Sequence, residues 1–201
     1  MYRHEVMKFA RALENTATIG LLILIIALSS YVTDELGIWF YEKQLNENKV
    51  FDLIHEFTPD FHEYGGIVNL IPLLFLGTFL FTKGNLIWEF AEKFLILIFL
   101  RSITIFFTIL PKHENCSKRF QWSTCLVGQC YDKIFSGHTA LTVLAALLLN
   151  RGGYIPTWLG ILFVGVETLF ILLTRSHYSV DVLFAMVITY LVYDKKTLLL
   201  H

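Results

Sequence analysis

The stretch RSHYSVDVLFAMVITYLVY, residues 175–193, opens with an arginine, a histidine and an aspartate and then runs apolar to its end. A helix crossing a bilayer core needs roughly 20 apolar residues, and fewer when its polar end residues reach the interface. This run approaches that length only when counted from His177. His177 and Asp181 therefore belong to the span, at headgroup depth. Ionisable side chains are costly there and mark functional sites.

The rest of the chain fits the same reading. Of its 201 residues, 55% are hydrophobic and only 16% charged, and the mean hydropathy is +0.59. That is the profile of a polytopic membrane protein. Counting outward from 177–193 gives five further spans, at about 17–33, 66–82, 91–110, 135–150 and 154–174. The expected fold is all-α, a single integral membrane domain over residues 1–201 with six transmembrane helices. The first span also fits a cleaved signal peptide, with a basic start and a following ALSS. A retained helix is expected, because the later spans need an even count to return the C-terminus to the N-terminal side. A net charge of −1 leaves no general basic surface for nucleic acid. Basic residues divide almost evenly between the two faces, so the positive-inside rule does not orient the chain. Setting aside the basic residues of loop 111–134 as phosphate ligands makes the termini cytosolic.

Span parity locates the chemistry. Two spans separate SGH (136–138) from RSHYSVD (175–181), so His138 and His177 share one membrane face with loop 111–134. His177 and Asp181 are four apart and lie on one side of a helix. The carboxylate is placed to orient one imidazole nitrogen, leaving the other as a nucleophile. A buried histidine satisfied by an acid is the plainer reading of that pair. Ser136 is an expected N-cap, and with Gly137 it opens a helix whose first-turn amides favour an anion. Arg101 falls well inside the third span. It is expected either to pair with an acid or, with Arg175, to clamp phosphate. The set suits phosphoryl transfer through a phosphohistidine, with His177 as nucleophile and His138 as acid and base. No metal or cofactor is expected: Cys116, Cys125 and Cys130 form neither a CxxC pair nor a cluster with histidine. Two of these cysteines can pair in an oxidising compartment. NCS at 115–117 is a glycosylation sequon, with Asn115 near the membrane.

Four stretches carry a family resemblance. CYDKIFSGHT (130–139) and TRSHYSVD (174–181) resemble the third and fourth motifs of the sphingomyelin synthase family, within the lipid phosphatase superfamily. LRSITIFFTILP (100–111) is similar to its second motif and TPDFHE (58–63) to its first. The resemblance implies a six-helix bundle with cytosolic termini and an active site facing the lumen or cell exterior. It implies a triad of His138, His177 and Asp181. It also implies transfer of a phosphocholine, phosphoethanolamine or phosphoinositol headgroup from a glycerophospholipid to ceramide, releasing diacylglycerol. Golgi, endoplasmic reticulum or plasma membrane would be the location in a eukaryote, and a homo-oligomer is compatible with the family. Tyr131-Asp132 stands where the family usually has Gly-Asp, and loop 111–134 is short beside animal members. The wider phosphatase branch places its motif arginine six residues before the nucleophilic histidine. Arg175 lies two before His177, which favours the synthase branch. The alternatives are a lipid phosphate phosphatase or phospholipase C-like hydrolase, in which water replaces the lipid acceptor, and a non-catalytic scaffold. Phe135 and Tyr178 flank the histidines and are placed to limit water.

Overall fold

A computed structural model describes residues 20–21, 23–45, 50–83, 85–112, 116 and 130–195. Residues 17–19 of the first expected span, the Asn115 sequon and Cys125 lie outside them. Among the described residues the chain is all-helical, with seven α-helices and no strands. Helix α1 covers 23–37 and continues as a π-helical segment, Ile38–Leu45. The others are α2 (Leu53–Phe57), α3 (Leu70–Phe79), α4 (Leu86–Phe107), α5 (Gly137–Arg151), α6 (Thr157–Leu173) and α7 (Ser179–Tyr193).

Helix α5 is the centre. Ser136 caps it, its Oγ accepting from the Thr139 amide at 3.2 Å. Thr139, Ala140, Thr142, Leu144, Ala145, Ala146, Leu148 and Leu149 are all buried, which covers most of the helix circumference. A helix apolar nearly all round is a core helix, and α3, α4, α6 and α7 pack around this one. Small residues let backbones approach: a Cβ added to Gly160 of α6 would meet Ala146 Cβ at 3.5 Å.

The surrounding helices each turn one stripe inward. In α4 it is Phe90, Lys93, Leu97, Arg101, Ser102 and Ile105; in α7 it is Asp181, Val182, Ala185 and Thr189. Their outward faces stay apolar, with Leu73 62%, Ile161 68% and Leu183 63% exposed. That exterior suits hydrocarbon as its surroundings.

One helical stretch, Ile23–Glu42, is long and apolar enough to cross a membrane on its own account. Helices α6 and α7 are apolar but shorter, and α4 carries Glu89, Glu92, Lys93 and Arg101. The expected second span is only partly α-helical: a 3₁₀ segment, His62–Asn69, precedes α3. The Gly65-Gly66 pair within it is a poor helix former.

Helices α5 and α6 form an antiparallel pair, so the starts of α3, α5 and α7 meet the ends of α4 and α6 at one end of the bundle. At the opposite end Lys93 Nζ donates to the carbonyls of Val192 and Tyr193 at 3.1 and 3.0 Å, closing α7. There Arg151 also pairs with Glu89.

Candidate active site

Both histidine-bearing turns are tied together by the loop 131–136. The Ser136 amide donates to the Asp181 carbonyl at 3.3 Å, joining the first turns of α5 and α7. Lys133 Nζ donates to the Ser176 carbonyl at 2.8 Å. His177 Nδ1 lies 2.8 Å from the Lys133 carbonyl. A carbonyl only accepts, so Nδ1 carries the proton and Nε2 keeps its lone pair. Asp181 is at 3.6 Å from Nδ1, an ion-pair distance and too long for a hydrogen bond. Its Oδ2 instead accepts from the Tyr178 amide at 3.0 Å, closing the first turn of α7. Its Oδ1 is buried with no hydrogen-bond partner among the described residues.

His138 faces another part of the same end. Its Nε2 lies 3.0 Å from Asn69 Oδ1. Asn69 Nδ2 donates to the Gly66 carbonyl at 3.2 Å, which fixes the amide and leaves Oδ1 as the acceptor. His138 Nε2 therefore carries a proton. The ring lies within electrostatic reach of His177 and Arg101. It lines a cleft of about 210 Å³ with Asn69, Leu73, Leu76, Arg101 and Leu141. The cleft is apolar at its α3 and α4 walls and polar at the histidine, the usual make-up of a small-molecule site.

The arginines are held differently from one another. Arg101 lies at the cleft, with Nε donating to the Phe135 carbonyl at 2.9 Å and Nη2 to the Asp132 carbonyl at 2.6 Å. The Asp132 carboxylate, 3.4 Å away, balances its charge. Arg175 turns to the segment before α3, donating to the carbonyls of His55 and Thr58 at 2.7 and 2.6 Å and to Thr58 Oγ1 at 3.1 Å. The structure thus brings Arg101, Gly137 and His138 together at the cleft and ties His177 and Asp181 in beside them, while Arg175 braces α2. Ser136 Oγ is engaged by its own helix, accepting from the amide and hydroxyl of Thr139.

Three residues were not foreseen. Asn69 shows in the sequence only as a lone polar residue in an apolar span. Asp132 and Lys133 lie within a recognised motif, yet their partners lie on other elements. Burial lowers the Lys133 amine from its usual range, against the pull of Asp132 and Asp181. Among the described residues no three His, Cys, Asp or Glu side chains converge as metal ligands would. Cys116 and Cys130 form a disulfide, Cα to Cα 5.9 Å, just before this loop.

Residues 129–197 match the PAP2 superfamily C-terminal family. A curated relative, phosphatidylcholine:ceramide cholinephosphotransferase 1 of Caenorhabditis elegans, is 32% identical over 118 residues, covering 44% of this chain. Over these stretches the chain is similar to sphingomyelin synthase-like proteins of the lipid phosphatase superfamily. The match spans 25% of the relative's length. The superfamily stretch contains His138, His177, Asp181, Lys133 and Arg175, whereas Asn69 and Arg101 reach the site from helices before it.

Proposed function

We propose that the protein transfers a phospholipid headgroup to ceramide through a phosphohistidine, as a six-span membrane enzyme whose site faces the lumen or cell exterior. The observation that carries this is the protonation pattern of the two histidines. His177 keeps an unprotonated Nε2 beside its held Nδ1–H, and His138, at the edge of an apolar cleft, donates its Nε2–H to Asn69 Oδ1. His177 Nε2 attacks the donor phosphorus, forming an N–P bond as the bond to the diacylglycerol oxygen breaks. His138, entering as imidazolium, gives that oxygen its proton. The neutral His138 then takes the proton of the ceramide primary hydroxyl, whose oxygen displaces His177 from phosphorus.

Asp181 stabilises the charge that builds on the His177 ring, and Arg101 with the first-turn amides of α5 faces the phosphoryl oxygens. A held acceptor outcompetes water through its effective concentration. Tyr178, whose hydroxyl donates to the Pro111 carbonyl at 3.1 Å, is fixed beside His177 to restrict water. The relative's name supports ceramide as acceptor and choline phosphate as one headgroup.

The test is a cell-free reaction with ceramide and a panel of phosphatidylcholine, phosphatidylethanolamine and phosphatidylinositol, read by lipid mass spectrometry. Diacylglycerol and a phosphosphingolipid are expected in equal amounts, and neither with His177→Ala or His138→Ala. Diacylglycerol formed at the same rate without ceramide, with no phosphosphingolipid, makes the protein a hydrolase.

A further inference from the structure

We infer that Lys133, through both its carbonyl and its ammonium group, is the residue that positions the His177 nucleophile. The inference rests on the proposed phosphohistidine reading for its kinetics, but its geometry stands apart from it.

Residue 133 grips the His177 turn at two adjoining points. Its carbonyl accepts the Nδ1–H of His177 at 2.8 Å. Its side chain folds back so that Nζ donates to the carbonyl of Ser176, the residue before His177, also at 2.8 Å. One contact sets the tautomer and tilt of the ring, and the other fixes the backbone from which the ring projects. Lys133 is 7% exposed and His177 7%, so neither contact competes openly with water. Among the described residues the ammonium forms no ion pair. A buried ammonium is costly unless hydrogen bonds and nearby charge offset its desolvation, and here the Ser176 carbonyl and the attraction of Asp132 and Asp181 do so.

The carboxylate that would orient His177 by sequence spacing does something else. Asp181 Oδ2 is 3.6 Å from Nδ1 and bonds the Tyr178 amide. Its part is to close the first turn of α7 and supply negative charge near the ring. The directional acceptor is the 133 carbonyl, and the Lys133–Ser176 bond keeps that carbonyl in place. The neighbouring tie, Ser136 amide to Asp181 carbonyl, works on the other side of the same joint.

The test uses the full chain in lipid nanodiscs with ¹⁵N-labelled histidine. His177→Ala identifies the His177 signal, and long-range proton–nitrogen correlation reads its tautomer. Wild-type protein is expected to show Nδ1–H. Lys133→Met removes the hold on Ser176 and should give a mixture of both tautomers, with kcat for diacylglycerol release at least tenfold lower and KM little changed. Lys133→Arg, which still donates to a carbonyl, should restore the single tautomer and most of kcat.

The inference is overturned if Lys133→Met keeps a pure Nδ1–H signal, or if Asp181→Asn alone scrambles the tautomer. It is also overturned if Arg fails to rescue what Met loses, since a merely structural role predicts that. Should wild-type protein release no diacylglycerol from any phospholipid, the functional reading fails, and the tautomer signal still decides the role of Lys133.

Discussion

Arg175 sits at φ 57°, in the left-handed region that glycine favours. The backbone there ends α6 with paired turns, Arg175 amide to Leu172 carbonyl and Ser176 amide to Ile171 carbonyl. The same motif ends α5, where Gly153 takes the position at φ 74°. An arginine at this place costs about 1 kcal/mol in backbone energy. Its three side-chain bonds to His55 and Thr58 outweigh that cost, since even one hydrogen bond from a charged donor contributes about 1.5–3 kcal/mol and bonds from one side chain are not additive. Arg175→Gly is therefore expected to relax the backbone yet lower stability by about 1–3 kcal/mol. Hydrogen exchange of the α2 amides should rise sharply in that variant, and unchanged protection would refute the bracing role. Asp181 invites a second comparison. Asp181→Ala loses the turn-closing acceptor at a cost of about 1 kcal/mol, whereas Asp181→Asn keeps an acceptor oxygen and loses only charge. Thermal unfolding should separate the two, with transfer activity falling in both. The spacing of four did find the His177–Asp181 pair, 3.6 Å apart, but not by sharing a helix: His177 lies two residues before the start of α7. The 133 carbonyl was not readable, because any residue supplies a carbonyl and its identity leaves no trace in the sequence.

Helix α1 hides a polar stripe in an apolar run: Ser30, Thr33 and Asp34 are buried. Ser30 Oγ donates to Asp132 Oδ2 at 3.3 Å and Thr33 Oγ1 to the Ile105 carbonyl at 3.3 Å, so the stripe faces α4 and the site loop. Gly37 ends it because the Tyr131 ring needs the space; an added Cβ would stand 2.3 Å from Tyr131 Cγ. Gly37→Ala should push Tyr131 aside, disturb the adjoining Asp132–Arg101 pair and reduce turnover at least tenfold with the protein still inserted. Full activity in that variant would show that the pair does not depend on Tyr131.

At α2, Asp52 Oδ1 caps the helix, accepting from the Ile54 and His55 amides at 3.1 Å each. Asp52 Oδ2 accepts from the Ser179 amide at 2.6 Å, so one carboxylate holds two helix starts. Burial raises this carboxyl, but hydrogen bonds from Ser179 and His55 outweigh burial and leave it below its usual value. A depressed acid stabilises the fold above its unfolded value, about 3.9, and the stabilisation is lost as pH falls through the folded value. Below about pH 4 the α2 amides should therefore lose protection, and Asp52→Ala should show that loss already at neutral pH. Long apolar runs made α4 to α7 legible to within a few residues. The 3₁₀ segment and α2 were not, since 50–69 mixes glycine, acids and isolated aromatics without a helical period.

On the scale of the whole molecule, the two ends of the bundle divide the work. One end closes helices with Lys93, Glu89 and Arg151, and the other gathers the histidines, Arg101, Asp132, Lys133 and the Cys116–Cys130 bridge. Disulfides persist in oxidising compartments, which agrees with a site facing away from the cytosol. On sealed vesicles with the lumen outward, an impermeant maleimide should label Cys116 and Cys130 only after reduction. Labelling of both without a reductant would contradict the bridge, and labelling after reduction only from the cytosolic side would invert the topology. Parity of the apolar runs was enough to bring His138 and His177 to one face. It was silent on which basic residue stands next to which carbonyl, because those contacts join segments 31 to 120 residues apart.

The joint between loop 131–136 and the start of α7 has a consequence for biosynthesis. The acceptor for His177 is 44 residues upstream, and the acceptor for the Ser136 amide is on α7 itself. A nascent chain that has threaded α5 and α6 into the translocation channel thus holds half a reaction centre. Chain growth proceeds at about 5–20 residues per second, so the half-made protein dwells for seconds in the bilayer before α7 arrives. The His177 ring and the carbonyl that accepts from it meet only when the last helix docks. Ribosome-stalled chains ending at residue 170 should therefore insert normally and leave surrounding phospholipid untouched, with turnover beginning only in chains long enough to seat α7.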